Sequence, residues 1–333
     1  MTLVAETPAF ATDKIATETI ATNNIATRST APFAVKNVLF ATDFSATSEA
    51  ALPYAVAISR RFGSTLHVAH VLSDTSILMM TGGVDYVSMG TLYDDAQAEA
   101  KEKLQQIAAR AEGIRQRTYV RHGQVWANLA GIVQENNIDL IVLGTHGRTG
   151  LGKLLLGSVA EDILRHATCP VLTVGPKVSG RGRLPAPRKY ERDLAPIELE
   201  LREIVFATNF APTSANISQT AVSLAEEFRS RLTLVHVLED YTQLGTLPGP
   251  IEASLRRLRK LISPEAGLQY TPATALEFGS APERILKVAD QRDADLIVIG
   301  ARSKAEVGTT HLPWSTTPQV IAQARCPVLT IRG

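Results

Sequence analysis

Val38-Leu39-Phe40-Ala41-Thr42-Asp43-Phe44 returns 166 residues later as Ile204-Val205-Phe206-Ala207-Thr208-Asn209-Phe210. Three further blocks return in the same order: Leu66–Leu72 as Leu232–Leu238, Asp139–Gly144 as Asp295–Gly300, and Cys169–Val174 as Cys326–Ile331. The offset is 166 for the first two blocks and 156–157 for the last two, so the second copy lacks about ten residues in its middle. Blocks that keep their order describe a duplicated domain, not a solenoid of short units.

Each copy alternates two patterns. Val38–Thr42 is an apolar run without a polar face, as a strand buried on both sides requires. Thr47–Phe62 places Ala51, Tyr54, Ala55, Ile58 and Phe62 at helical spacing, with Gly63 to end it. Leu66–Leu72 reads as a strand, Thr91–Glu112 as a long Ala/Glu/Lys/Gln-rich helix, and Thr118–Arg121 as a weak strand. Val125–Asn137 reads as a helix, Leu140–Leu143 as a buried strand, Ser158–His166 as a helix and Val171–Val174 as a final strand. Right-handed crossovers turn this order into an α/β fold. It predicts two tandem doubly wound, Rossmann-like domains, each a five-stranded parallel sheet with helices on both faces.

Around the copies lie two other regions. In residues 1–33 Ala-Thr recurs every five residues, a period that fits neither a helix face nor a strand face. This stretch reads as a disordered, low-complexity tail. Residues 176–199 hold Pro176, Pro185, Pro187, Pro196, Gly180 and Gly182 among basic residues from Lys177 to Arg192. They read as an exposed linker between domain 1 (34–175) and domain 2 (200–333). The whole chain has 333 residues and a net charge of +1, which disfavours bulk electrostatic binding to nucleic acid or an anionic membrane. No apolar run is long enough to span a bilayer, and no secretory signal stands out in the first 30 residues. The expected compartment is the cytoplasm. The two cysteines, Cys169 and Cys326, are one repeat position counted twice, so neither a disulfide framework nor a cysteine zinc site is expected.

The chemistry is concentrated in Gly144-Thr-His-Gly147-Arg-Thr-Gly-Leu-Gly-Lys-Leu-Leu-Leu-Gly157-Ser158, which follows a buried strand and opens a helix. Glycines let a backbone approach a phosphate closely. Ser158 is expected to cap a helix whose free N–H groups and dipole attract an anion. Thr145, Arg148 and Lys153 add donors and charge. Asp43 ends the first strand on the same sheet edge, where open α/β sheets bind ligands. A carboxylate facing a phosphate loop fits a ribose hydroxyl or a phosphate-bound metal. Gly147–Leu154 nearly makes a Walker A loop, but Leu154 stands where Ser or Thr would hold Mg²⁺. No G-x-G-x-x-G follows the first strand of either copy.

The spacing Gly144-x2-Gly147-x9-Gly157-Ser158, with the Asp43 strand and the Cys-Pro-Val-Leu final strand, resembles the universal stress protein family, in a tandem two-domain form. Many members with this loop bind ATP. The resemblance implies ATP, or a related adenine nucleotide, in the first copy, with Mg²⁺ or Mn²⁺ held by the phosphates and not by a protein metal site. Ala41, Thr42 and Asp43 then face the nucleoside or metal, and the Val71 backbone lies near adenine. Gly144, Thr145, His146, Gly147 and Arg148 form the first turn around the nucleotide. Gly157, Ser158 and Val159 hold the phosphates. It also implies pairing through the last strands, here between the two copies as an intrachain pseudo-dimer, and a further homodimer is compatible with it.

The second copy departs from this pattern. Asn209 replaces the aspartate, Ser303 stands at the second glycine, and Trp314-Ser315 stands near the place of Gly157-Ser158. An indole there fills the phosphate space, so one nucleotide per chain is expected and the second copy reads as structural. The sequence assigns no catalytic residue, and an ATP-binding stress-response regulator that is not an enzyme is the leading reading. A slow nucleotide hydrolase or phosphotransfer enzyme with His146 as its attacking group is one alternative. A ligand-free structural interaction module is the other.

Overall fold

The computed structural model describes residues 3–4, 33–73, 86–145, 156–178, 199–239, 249–301 and 316–332. The first copy runs β2 (Asn37–Ala41), α1 (Ala46–Glu49), α2 (Leu52–Phe62), β3 (Thr65–Leu72), α3 (Tyr86–Ala109), β4 (Gln116–His122), α4 (Val125–Glu135), β5 (Leu140–Gly144), α5 (Ser158–His166) and β6 (Val171–Val174). The second runs β7 (Glu203–Ala207), α6 (Ser214–Phe228), β8 (Arg231–Leu238), α7 (Gly249–Lys260), β9 (Ala273–Phe278), α8 (Ala281–Gln291), β10 (Leu296–Ala301), α9 (Thr316–Gln323) and β11 (Val328–Arg332). Each copy is a five-stranded parallel sheet, ordered β6-β5-β2-β3-β4 and β9-β8-β7-β10-β11. The expected fold is the observed one.

Local chemistry explains where the elements break. The helix expected over Thr47–Phe62 is two helices in the first copy. Pro53 has no N–H to donate back to Glu49, so the chain turns at Ala50-Ala51 before restarting. The second copy has Gln219 at the matching place, and its helix runs unbroken from Ser214 to Phe228. Gly63 ends α2 at φ +65°; Arg229 takes the same left-handed position, φ +52°, in the second copy. Asp139 fastens the start of β2, its Oδ2 accepting the Lys36 and Asn37 N–H groups at 2.8 and 2.9 Å. Asp295 does the same for Arg202 and Glu203 at 2.7 and 3.1 Å.

The copies join edge to edge. β6 and β11 pair antiparallel, with Leu172 opposite Leu329, and so fuse the two five-stranded sheets into one. This is the intrachain pairing through last strands that the repeat implied. One apolar core runs unbroken across the seam on the α2/α6 side, from Val38, Phe40 and Leu172 to Leu329, Ile204 and Phe206. Phe62 meets Phe228 edge-on at 6.2 Å, and Arg61 pairs with Glu227 at 2.9 Å. The Arg61 side chain is half exposed, so the aromatic packing outweighs that ion pair. A cavity of about 30 Å³ lies between Tyr54, Phe62, Leu199 and Phe228; it is a packing void with room for about one water.

At the far edge, Leu3–Val4 pairs antiparallel with Leu276 and Ala275 of β9. We label it β1. The reading of 1–33 as structureless did not foresee this pair; an edge strand otherwise presents open hydrogen-bonding groups. The rest of 1–32, and 179–198 of the linker, lie outside the described residues.

The seam yields a test. A Cβ on Gly175 would lie 2.7 Å from the Ile321 carbonyl of the other copy. Gly131, inside α4, has only the Glu135 carboxylate at 3.6 Å. Urea unfolding should show Gly175→Ala destabilised by about 1–3 kcal/mol. Gly131→Ala should gain about 0.5–1 kcal/mol. Equal effects would remove the close approach from the account.

Candidate functional site

In each copy the chain leaves the first strand toward one side and returns to the fourth strand on the other. The switch point is therefore the crevice over the carboxyl ends of β2 and β5 in the first copy, and of β7 and β10 in the second. Ala41 ends β2, and buried Thr42 and half-buried Asp43 follow it into the turn. Thr42 fixes that turn. Its N–H donates to the Ala69 carbonyl at 3.0 Å, its Oγ1 accepts from the Phe44 N–H at 3.0 Å, and its hydroxyl meets Ser48 Oγ at 2.9 Å. His70 closes the arrangement, Nδ1 to the Thr42 carbonyl at 2.8 Å, with its ring 4.2 Å from that of Phe44. The Phe44 backbone is left-handed, φ +63°, an unusual state for an aromatic residue, so this turn is held by its surroundings.

Asp43 stands two residues beyond the end of β2, half-buried. Its Oδ1 accepts from the Ser45 N–H at 3.0 Å and from the Ser45 hydroxyl at 2.6 Å. The second copy repeats the turn almost bond for bond. Thr208 Oγ1 accepts from Phe210 at 3.0 Å, His236 Nδ1 meets the Thr208 carbonyl at 2.8 Å, and Asn209 Oδ1 accepts from the Ala211 N–H at 3.0 Å. Asparagine thus accepts the same backbone N–H two residues on, without a carboxylate charge. Burial holds the His236 imidazole below its ordinary pKa; the Arg257 charge adds to this and the bond to Thr208 opposes it.

Val71 lies on β3 beyond the end of β2. The Ala69 carbonyl faces β2, and backbone orientation repeats every second residue, so the Val71 main chain faces the space over the β2 carboxyl end. Opposite stand Gly144, which ends β5, and buried Thr145. Gly144 has a role that its place in the loop did not announce: a Cβ there would meet the Thr47 carbonyl oxygen at 2.4 Å, so the glycine admits α1 against the strand end. The loop that follows is closed at its base, the Gly157 N–H donating to the Thr145 carbonyl at 2.8 Å.

Ser158 was expected to cap α5, and the structure corrects this. Gly157 is the N-cap (φ −62°, ψ 145°), with no side-chain cap hydrogen bond, and exposed Ser158 is the first helical residue. The Gly157 N-cap therefore brings no side chain of its own to the first N–H groups of α5. Val159 beside them is 41% exposed. Ala41, Thr42, Asp43, Val71, Gly144, Thr145, Gly157, Ser158 and Val159 thus belong to the carboxyl-end surface of one half-sheet and its helix. His146, Gly147, Arg148 and Lys153 lie outside the described residues, as do Ser303, Trp314 and Ser315. Sequence reading missed Ser45, Ser48 and Phe44 as the frame of the turn. The six-residue spacing Thr42…Ser48, repeated as Thr208…Ser214, was the available signal.

Among the described residues no three His, Cys, Asp or Glu side chains group as a metal site. Burial, aided by the Asp139 charge, pushes the half-buried Cys169 thiol up to about 11, against a backbone bond that lowers it, which disfavours the thiolate.

The strand order defines a tandem doubly wound α/β protein with a topological switch point in each copy. The model of the universal stress protein family matches residues 34–175 and 200–332, and the chain belongs to that family. It is 34% identical over 140 residues to universal stress protein A homolog 1 of Coxiella burnetii, covering 42% of this chain and 95% of that protein. A universal stress protein of Mycobacterium tuberculosis is 25% identical over 251 residues, covering 73% of this chain and 79% of that one. The crystal structure of a universal stress protein from Archaeoglobus fulgidus covers 89% of this chain and 98% of its own, with a TM-score of 0.66 at 22% identity, a likeness of fold.

The natural Asn209 supplies a clean substitution. Asp43→Asn should keep stability within about 0.5 kcal/mol of wild type by urea unfolding. If the carboxylate faces a ligand, the same variant weakens nucleotide binding. A large loss of stability instead would make Asp43 a turn residue only.

Proposed function

We propose that the first copy binds one ATP, or a related adenine nucleotide, in the crevice over β2 and β5, and that the second copy is structural. The observation that carries this is the Gly157 N-cap: a helix start with no side-chain cap, at the end of a glycine-spaced loop, on the sheet edge that also carries Asp43. Ala41, Thr42 and Asp43 face the nucleoside, and the Val71 main chain faces the base. Gly144, Thr145, His146, Gly147 and Arg148 wrap the nucleotide, and Gly157, Ser158 and Val159 receive the phosphates. Mg²⁺ or Mn²⁺ accompanies the phosphates as their counter-ion. One Asp43 oxygen is already committed to Ser45, which fits a carboxylate that assists such an ion better than one that holds it alone.

The domains are 34–175, nucleotide-binding, and 200–333, structural, with a tail over 1–33 and a linker over 176–199. The chain works as a cytoplasmic stress-response regulator, in which occupancy is the signal and no residue is assigned a catalytic step. His70 supports this: its Nδ1 is spent on the Thr42 carbonyl, so it positions the turn. Among the described residues no helix is long and apolar enough to cross a membrane.

Calorimetric titration with ATP should give one site per chain. Gly157→Trp, which copies the Trp314 of the second copy, should weaken binding at least tenfold, about 1.4 kcal/mol. Two equal sites, or an unaffected variant, would overturn the assignment. Multiple-turnover ATP hydrolysis should stay well below about 1 s⁻¹, the low end of typical enzymes; a faster rate would make the chain an enzyme.

A further inference from the structure

A second polar cluster, with His67 buried at its centre and Asn37, Tyr119 and Asn136 half-buried around it, lies at the opposite, amino end of the first half-sheet. His67 of β3 is 2% exposed. Its Nε2 faces Asn37 Oδ1 of β2 at 3.3 Å, and its Nδ1 faces the Tyr119 hydroxyl of β4 at 2.9 Å. Tyr119 O–H donates to Asn136 Oδ1 at 3.0 Å. Both ends of this chain stop at backbone carbonyls. Asn37 Nδ2 donates to the Asn137 carbonyl at 3.3 Å, and Asn136 Nδ2 donates to the Ile132 carbonyl at 3.0 Å.

Counting hydrogens shows a conflict. A neutral amide, imidazole or hydroxyl in such a chain donates on one side and accepts on the other. A row of neutral links therefore ends in a donor at one side and an acceptor at the other. Here both ends meet acceptors, so one link must donate both ways. Turning either amide over moves the conflict without removing it. An imidazolium is the one member that donates from two atoms. With His67 neutral, one contact sets acceptor against acceptor, and the two 3.3 Å contacts, both at Asn37, mark where it falls.

We propose that the Asn37–His67–Tyr119–Asn136 row is a proton-binding site centred on the buried His67, one proton short when His67 is neutral. A proton from solvent adds to His67 Nε2. Nε2–H then donates to Asn37 Oδ1, Nδ1–H donates to Tyr119 Oη, and every contact in the row is satisfied, tying β2, β3, β4 and α4 together.

The neighbouring charges set when this happens. On β4, Arg117 stands in register beside His67. On the α4 side, the Glu135 carboxylate is paired with Arg121 at 2.9 Å. Beyond Asn37, the Asp139 carboxylate is held by the Lys36 and Asn37 N–H groups. Burial, with Arg117 adding to it, holds the imidazole below its ordinary pKa. The proton is therefore taken up on acidification and the row is incomplete at neutral pH. The second copy has nothing to complete. Thr233 stands at the place of His67 and donates to Glu203 Oε1 at 2.6 Å, Arg231 Nε reaches Glu203 Oε2 at 3.3 Å, and Ala275 replaces Tyr119. The row itself belongs to the copy proposed to bind nucleotide, although it does not depend on that proposal.

Nitrogen-15 NMR of the His67 ring, assigned with His67→Gln, tests this on the full chain. Wild type should show the Nδ1–H tautomer at neutral pH, with the Asn37 side-chain amide following the His67 titration on acidification. Asn136→Leu frees the Tyr119 O–H to donate to Nδ1, so the neutral ring should switch to Nε2–H. The midpoint should fall by roughly one pH unit, the equivalent of one hydrogen bond. Tyr119→Phe should show the same tautomer switch and serves if Asn136→Leu folds poorly. An unchanged tautomer in the folded variants, or an Asn37 amide that ignores the titration, would overturn the proposal.

Discussion

The antiparallel pairing of Val171–Thr173 with Val328–Thr330 is the contact on which the rest of this molecule depends. Each half-sheet has two edges, and an unpaired edge invites aggregation. Duplication solves half of that problem by turning the last strand of each copy into the partner of the other. The seam is more than a ladder. Thr173 donates its hydroxyl to the Val328 carbonyl, Gly175 sits against the Ile321 carbonyl, and Arg332 reaches the Arg165 carbonyl at the end of α5. Leu156 and Leu164, just before and within α5, pack against the cores of both copies. The helix that opens at Gly157 therefore rests partly on the second copy. That gives a copy without a complete loop sequence a physical role in the chain: it supports the start of α5 in the first copy.

Much of the architecture was legible because the repeat supplied two readings of each element. The buried strands Val38–Thr42 and Leu140–Leu143 carry no polar face, and both lie in the interior of the sheet, flanked by strands on each side. Pairing through the last strands followed from the repeat and the family resemblance together. Other features hid behind local rules. Pro53 splits a helix whose apolar spacing is continuous, because periodicity reports a face and says nothing about a missing N–H. Leu3–Val4 sits in a repetitive tail, and two residues carry no period at all.

The candidate site was legible in its residues and less so in their duties. Gly144 looked like a phosphate-approach glycine, and the model adds a packing role, since Thr47 leaves no room for a Cβ. Ser158 looked like a cap, and the cap is Gly157. Both cases share a cause. A sequence motif records which positions must be small or polar, and tertiary packing decides against what. The turn at Asp43 shows the converse. Its twin at Asn209 keeps the backbone hydrogen bond but has neither the charge nor the hydroxyl donor that Ser45 supplies, so comparing the copies shows which part of the turn is shared. The row centred on His67 has no such twin, and its proton count emerged only once four residues from four elements stood in line.

The most direct test of the one-site account is native mass spectrometry of the intact chain mixed with ATP. The account predicts a mass increment of one nucleotide per chain that disappears in Gly157→Trp. An increment of two nucleotides, or one that persists in Gly157→Trp, would contradict it.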